Sequence, residues 1–120
     1  MKRILVIEDN ADNMDLIEEI LEDGGYAVLK AAEAEEGIRR LREGGVDLVL
    51  MDISLPKMSG LAATRIIKGD PALRGVPVVA LTAHAMVSDR EAAMDAGCSA
   101  FLTKPVDEEL LAATLERLLG

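Results

Sequence analysis

Three short apolar runs set the pattern of the chain, at Ile4–Ile7, Val46–Met51 and Val78–Leu81. They are rich in Val, Ile and Leu and barely alternate between apolar and polar residues. A strand covered on both faces shows such a run, whereas a strand with one solvated face alternates. We therefore predict three central parallel strands here, and two weaker strands at Tyr26–Ala31 and Ala100–Thr103.

The segments between the strands show the spacing of amphipathic helices, at Asp12–Asp23, Glu35–Glu43 and Leu61–Lys68. The first segment places four apolar residues on one stripe: Leu16, Ile17, Ile20 and Leu21. Met14 lies about a quarter turn from the centre of that stripe, which predicts an exposed side chain.

Turn and capping residues mark the ends of the helices. Ser88 with Glu91 has the spacing of a capping box, and Asp107 is placed to cap a last helix. Two glycine pairs stand where a helix C-terminus needs a left-handed residue: Gly24-Gly25 and Gly44-Gly45. These signals divide the chain into five strands that alternate with five helices.

That alternation implies a parallel sheet with right-handed crossovers and helices on both faces. The expected fold is a flavodoxin-like, doubly wound α/β sheet of five strands in the order 2-1-3-4-5. A chain of 120 residues has the usual size of one domain, so we expect residues 1–120 to form a single domain.

Charge and cysteine content narrow the possible partners and the compartment. A formal charge of −9 repels phosphate backbones and anionic head groups, so direct binding to nucleic acid or membranes is not expected. Cys98 is the single cysteine and cannot form an internal disulfide, which fits the reducing cytoplasm. We expect a cytoplasmic protein in which Cys98 is a small packing residue.

Polar residues follow each of the apolar runs at the same edge of the predicted sheet. Glu8 and Asp9 end the first strand, Asp52 the third, Thr82 the fourth and Lys104 the fifth. Ligands of such sheets bind beyond the carboxyl ends of the strands, where the first and third strands diverge. The sequence therefore predicts one acidic pocket at that edge.

Magnesium suits a pocket of this composition. Carboxylates held close together repel one another, and a hard cation relieves the repulsion. Mg²⁺ prefers oxygen ligands and often uses one or two carboxylates together with phosphate oxygens. With the ion bound, a carboxylate oxygen of Asp52 can attack phosphorus while Lys104 pairs with a phosphoryl oxygen.

The ordered motifs VIEDN, LVLMDISLPKMSG, ALTA and FLTKP resemble the signature of the receiver domains of two-component response regulators. The resemblance covers essentially the whole chain. It implies that Asp52 is the phosphoacceptor, that Glu8 and Asp9 are the acidic pair, and that the main-chain carbonyl of Ser54 is a further Mg²⁺ ligand. It also implies that Lys104 senses the phosphoryl group and that the Lys104-Pro105 bond is cis.

Further roles follow from the same resemblance. Thr82 and Phe101 are the implied switch residues, and Ser54 and His84 occupy positions at which the family tunes hydrolysis of the phosphoryl group. The implied partners are a sensor histidine kinase or histidine phosphotransferase as donor, and a downstream protein as output. Such a domain is a signalling switch that catalyses its own phosphorylation and slow dephosphorylation, and is not otherwise an enzyme.

Two other functions remain open at this point. A Mg²⁺-dependent phosphatase or phosphotransferase of the haloacid-dehalogenase type also uses an aspartyl nucleophile, but its Asp-x-Asp motif is not met because Ser54 stands two residues after Asp52. A flavin-binding module would need a phosphate-binding loop rich in Gly, Ser or Thr, whereas the first loop here reads EDNADN.

Overall fold

The computed structural model describes residues 1–83 and 86–120, which form a parallel sheet of five strands. The strands are β1 Arg3–Ile7, β2 Ala27–Ala31, β3 Leu48–Asp52, β4 Val78–Thr82 and β5 Ala100–Thr103. Their order across the sheet is β2-β1-β3-β4-β5, and every neighbouring pair is parallel. The predicted flavodoxin-like fold and its strand order are confirmed.

A helix follows each strand in the described part of the chain. The helices are α1 Ala11–Asp23, α2 Ala34–Arg42, α3 Gly60–Gly69, α4 Val87–Ala96 and α5 Glu108–Leu119. Three of them have an N-cap residue whose side chain accepts a hydrogen bond from a backbone N–H of the first turn. These residues are Asn10, Ser59 and the predicted Asp107. Gly25, Gly44 and Gly45 all have positive φ, as the predicted C-terminal glycines should.

The sheet separates two apolar layers because successive strand residues point to opposite faces. Ile4, Val6, Leu48 and Leu50 pack with α1 and α5 on one face. The alternate strand residues Leu5, Ile7, Val49 and Met51 pack with α2, α3 and α4 on the other. The central strands are therefore covered on both sides, which explains their unbroken apolar runs.

The structure corrects three local predictions. Met14 is buried against the sheet, whereas Leu16 is 43% exposed, so the buried stripe of α1 is rotated from the predicted one. Helix α4 begins at Val87 with Met86 at its N-cap, so Ser88 lies in the first turn and caps nothing. Strand β3 begins at Leu48, and Val46 is buried outside it.

Cys98 is buried in the layer of α2, α3 and α4, as a packing residue should be. Burial raises the pKa of its thiol, a shift that the Thr64 hydroxyl and the Lys68 ammonium only partly offset. In the described ranges, none of the helices has the length and apolar character needed to cross a membrane.

Candidate functional site: an acidic pocket at the carboxyl edge of the sheet

The pocket forms where β1 and β3 lie side by side and then end together. Ile7 pairs with Met51 in the register of these strands, so Glu8 and Asp52 are the next residues on adjacent strands. The residues that follow β1 and β5 and the last residue of β3 come from distant parts of the sequence and meet here. Glu8, Asp9 and Asp52 each offer a carboxylate oxygen, and these three oxygens all lie within 4.8 Å of one another.

Lys104 lies between two of these carboxylates. Its Nζ is 2.6 Å from Glu8 Oε1 and 3.2 Å from Asp52 Oδ2. The side chains of Glu8 and Asp52 are 0% and 4% exposed, so both ion pairs are shielded from water. One ammonium cannot neutralise three carboxylates, and the pocket therefore keeps an excess of negative charge.

Backbone donors fix the orientation of both buried carboxylates. The N–H of Ser54 donates to Asp52 Oδ1 at 2.9 Å, and the N–H of Asn10 donates to Glu8 Oε2 at 3.2 Å. Asp52 is thus held from one side by the loop after β3 and from the other by Lys104. This arrangement points one carboxylate in a single direction, as a nucleophile or a metal ligand requires.

Gly60, the first residue of α3, allows the loop after Asp52 to fold closely. A Cβ at this position would overlap the carbonyl oxygen of Asp52 and lie 2.6 Å from the Cα of Ile53. Only glycine fits such an approach of two backbone segments. Gly60 is the last residue of the motif LVLMDISLPKMSG, but an isolated glycine gives no sign in sequence of which segment it contacts.

The pocket changes the proton affinity of two of its groups in the same direction. Burial raises the pKa of Glu8, and the hydrogen bonds from Lys104 and from the N–H of Asn10 do not fully reverse the shift. Burial alone would lower the pKa of Lys104, but the hydrogen bond to Glu8 and the charge of Asp52 outweigh it and raise the pKa. Lys104 therefore stays protonated at neutral pH.

The donor set fits a hard divalent cation. All three clustered groups are carboxylates, and Asp9 is exposed, so a hydrated ion can enter from solvent. Within the described ranges, the buried Oε1 of Glu8 has only the Lys104 ammonium against it and accepts no other hydrogen bond. The acidic pocket predicted from the strand ends is thus present.

The remaining predicted residues flank this pocket. Thr82 is buried at the end of β4, and its carbonyl accepts the N–H of Lys104 at 2.7 Å. Phe101 is half-buried on β5, opposite Ala80 of β4. The Lys104-Pro105 bond is cis, as predicted. His84 lies outside the described residues, so its role in tuning hydrolysis stays a prediction.

Comparison with known proteins identifies the family. A family model described as the response regulator receiver domain matches residues 4–116 of the chain. The chain belongs to this family. It is 39% identical over 119 residues to the polar-differentiation response regulator DivK of Brucella ovis, covering 99% of this chain and 97% of that protein. Brucella abortus has a DivK that matches equally well.

Solved structures of other receiver domains superpose closely on this one. The receiver domain of a sensor histidine kinase from Pseudomonas aeruginosa PAO1 has a TM-score of 0.92 and 38% identity, covering 99% of this chain and 98% of that one. That structure has a magnesium ion coordinated in its active-site cleft. The receiver domain of a signal transduction histidine kinase from Syntrophus aciditrophicus has a TM-score of 0.91 and 34% identity. The match covers 99% of this chain and 90% of that one.

This receiver domain is therefore a signalling switch of a two-component system, and it has a cluster of three carboxylates at the carboxyl edge of its sheet. The alternative of a Mg²⁺-dependent phosphatase finds no support among these relatives.

Proposed function

We propose that Asp52 accepts a phosphoryl group from the phosphohistidine of a sensor histidine kinase or a histidine phosphotransferase. The observation that carries this proposal is the placement of Asp52 between the Ser54 N–H and the Lys104 ammonium, beside two further carboxylates. A carboxylate fixed in this way beside a cation site has the geometry of an activated nucleophile. Residues 1–120 act in this proposal as one receiver domain.

In this proposal Glu8, Asp9, Asp52 and the main-chain carbonyl of Ser54 hold Mg²⁺, directly or through water. The ion supplies positive charge that offsets the oxygens of an incoming phosphoryl group. Asp9 is the exposed member of the set and would be the ligand most accessible to an ion from solvent. Glu8 is buried and already bound to Lys104, which makes it the member best suited to act through water.

The chemical step is a transfer of one phosphoryl group between two residues. An oxygen of Asp52 attacks phosphorus, and the bond between phosphorus and the histidine nitrogen breaks. Its electron pair remains on the imidazole, which takes up a proton. Lys104 leaves one of its two carboxylate partners and donates to a phosphoryl oxygen. The protein promotes this step itself and later the hydrolysis of the acyl phosphate, at a rate tuned by Ser54 and His84.

The phosphoryl group acts on a partner protein through Thr82 and Phe101. Thr82 donates from its hydroxyl to a phosphoryl oxygen, and Phe101 follows into a more buried position. Phe101 borders two adjoining grooves formed by α4, β5 and α5, so movement of its ring reshapes that surface. The downstream protein binds there. Nucleic acid and membranes are not expected partners of a domain with a charge of −9.

The test of this proposal is covalent modification by a small phosphodonor. The parent protein, incubated with acetyl phosphate and Mg²⁺, should gain one phosphate by intact mass, and the adduct should be lost slowly on standing. Asp52→Asn should gain none, because its amide is isosteric but not nucleophilic. Asp12→Asn on the surface of α1 is the matched control and should gain phosphate normally. An Asp52→Asn protein that still gains that mass would disprove the assignment.

A further inference from the structure

Cations are scarce at the carboxyl edge of the sheet. In the part of the chain that the structure describes, the loops after the five strands contain two lysines, Lys57 and Lys104, and no arginine. Lys104 is 14% exposed and bound to Glu8 and Asp52, whereas the side chain of Lys57 is 74% exposed. The clustered carboxylates repel any anionic phosphodonor that approaches Asp52. Among the described loop residues, Lys57 is therefore the cation that such a donor can meet in solvent.

Lys57 lies on the loop that leaves Asp52. This loop is closed where the N–H of Gly60 donates to the carbonyl of Ile53 at 3.3 Å, and Gly60 itself lies against the Asp52 carbonyl. A span of three residues reaches at most about 11 Å, so the backbone of Lys57 stays within that distance of Gly60. The Debye length at physiological ionic strength is about 8 Å, and the lysine side chain is long and flexible. The charge of Lys57 therefore acts at the mouth of the pocket.

The backbone of Lys57 has a conformation that favours glycine. Its φ is 63°, and in the described ranges it is the one residue other than glycine with a positive φ. A side chain in this left-handed region is strained, because its Cβ lies too close to the backbone. Strained residues of this kind concentrate at functional sites. A lysine thus stands in the loop beside Asp52 at a position where glycine would be relaxed.

Lys57 is held by a partner that it can leave easily. Its Nζ lies 3.3 Å from Glu33 Oε2 and 3.5 Å from Glu33 Oε1. The two side chains are 74% and 44% exposed, and an ion pair so exposed contributes little to stability because water screens it. Glu33 is the N-cap residue of α2, but its side chain accepts no hydrogen bond from that helix. The pair can therefore open when another anion approaches.

We propose that Lys57 is a specificity residue that favours highly anionic small phosphodonors, such as acyl phosphates, over less charged ones. Its ammonium leaves Glu33 and pairs with the donor at the mouth of the pocket, so that it attracts the donor and takes no part in the chemistry at phosphorus. Glu33 competes with the donor for the same ammonium. The inference rests on the proposed role of Asp52 as the phosphoacceptor.

The experiment compares two phosphodonors of different charge. Acetyl phosphate is a dianion at neutral pH, and phosphoramidate is a monoanion. Initial rates of phosphate gain are measured by intact mass with Mg²⁺, at low ionic strength and subsaturating donor. Lys57→Gln should lower the rate with acetyl phosphate by about threefold and the rate with phosphoramidate by less, because Coulomb attraction scales with the charge of the donor. Both losses should disappear at high salt, which screens exposed charges.

Substitution of the partner should act in the opposite direction. Glu33→Gln should raise the rate with acetyl phosphate, because the ammonium of Lys57 is then free. Glu35→Gln is the matched control, since Glu35 is exposed in the first turn of α2 and its loss leaves the Lys57–Glu33 pair intact. It should raise the rate less. In the Lys57→Gln background, Glu33→Gln should have little effect, because the two residues act through one ion pair.

Two further measurements separate the charge of Lys57 from its effect on the loop. Lys57→Gly should unfold at about the urea concentration of the parent, because relief of strain offsets the freedom that glycine adds to the unfolded chain. It should nevertheless lose as much rate with acetyl phosphate as Lys57→Gln. In EDTA without phosphodonor, an anionic nitroxide, compared with a neutral one, should relax the amide protons of residues 53–60 less in Lys57→Gln than in the parent.

Three results would overturn the inference. These are equal rates of the parent and Lys57→Gln with acetyl phosphate at low salt, an equal loss of rate with both donors, and equal nitroxide effects in the two proteins. A parent protein that gains no phosphate from either donor would instead contradict the role of Asp52, and the nitroxide comparison would still test the charge of Lys57.

Discussion

Lys104 is the residue that allows two carboxylates to lie side by side away from water. Its ammonium contacts Glu8 and Asp52 at 2.6 and 3.2 Å, and no other cation reaches either carboxylate in the described part of the chain. A buried ion pair compensates for lost hydration only when its geometry is good, and removal of one partner leaves an uncompensated charge. Burial of these carboxylates therefore lowers the free energy of unfolding, and a bound cation would offset that loss.

The raised pKa of Glu8 leads to a prediction on stability. A carboxyl whose pKa is higher in the folded than in the unfolded state favours folding when protonated, and loses that advantage as pH rises from about 4.5 through its folded pKa. At neutral pH its ionised form therefore destabilises the fold. Glu8→Gln should unfold at higher urea concentration than the parent at pH 7 in EDTA.

The pH series provides the control for that prediction. The advantage of Glu8→Gln should shrink as pH falls toward 4.5, the ordinary pKa of a glutamate side chain, because Glu8 of the parent then becomes protonated too. A stability gain that is the same at both ends of the series would mean that packing, and not ionisation, causes it.

Asp9 is predicted to bind metal without supporting the fold. Its carboxylate is exposed yet shares the 4.8 Å cluster with Glu8 and Asp52. The free energy of unfolding of Asp9→Asn, measured with urea, should lie within about 0.5 kcal/mol of the parent's, as is usual for surface substitutions. Its affinity for Mg²⁺ in a calorimetric titration should fall, because a neutral amide replaces an anionic oxygen ligand. Asp12→Asn should change neither value, and unchanged Mg²⁺ affinity in Asp9→Asn would exclude Asp9 as a ligand.

At the scale of the elements, α2 packs closely on the sheet through a helical glycine. A Cβ on Gly37 would overlap the end of the Ile7 side chain and lie 2.7 Å from its Cγ1. Gly37→Ala should destabilise, because overpacking costs about 1–3 kcal/mol and exceeds the gain of about 1 kcal/mol in helix propensity. Gly69→Ala is the matched control, since no atom lies within 4 Å of its added Cβ. Urea unfolding should show opposite signs for the two variants.

The elements themselves were predictable because the sheet is buried on both faces. Unbroken apolar runs such as Val78–Leu81 identify strands that helices cover, and glycines at positive φ mark where helices end. Finer features depend on tertiary contacts. Burial of Met14 instead of Leu16 depends on the angle at which α1 packs, and the start of α4 before Ser88 is set without any side-chain cap. The helix propensity or capping preference of a single residue therefore predicts neither the buried face of α1 nor the start of α4.

The candidate site was predictable for a related reason. The carboxyl ends of parallel strands lie at one edge of the sheet, so the last residue of β3 and the residues after β1 and β5 converge there irrespective of loop conformation. The sequence did not show that Lys104 would bridge Glu8 and Asp52, or that Gly60 would lie against the Asp52 backbone. Both features depend on loop conformations, which have no periodic pattern.

At the scale of the whole molecule, the pocket and the surface of α4, β5 and α5 are joined through β4 and β5. Thr82 is buried at the pocket end of β4 and pairs in register with Thr103 of β5. Phe101, two residues earlier on β5, packs against the core and borders the grooves on that surface. A change at Thr82 can therefore reach the Phe101 ring through two adjacent strands.

A phosphoryl group changes this surface only if it binds one of two existing conformations better than the other. A mostly inactive population becomes mostly active when the phosphoryl group binds the active conformation more favourably by roughly 3–5 kcal/mol. A few charge-assisted hydrogen bonds provide that difference in binding free energy. The Thr82 hydroxyl is the proposed donor that links such bonds to Phe101. Since Tyr26 and Phe101 are the only aromatic residues of the chain, the ring signals of Phe101 can be followed directly by NMR.

Beryllofluoride with Mg²⁺, a mimic of the acyl phosphate, should shift the Phe101 ring signals of the parent protein and shift them much less in Thr82→Ala. The reason is that the mimic still binds at Asp52 in the variant, but no hydroxyl draws β4 toward it. Thr103→Ala is the matched control, because Thr103 pairs with Thr82 yet is exposed on β5, and its shifts should equal those of the parent. If Thr82→Ala and the parent respond alike, the Thr82 hydroxyl does not couple the pocket to the ring.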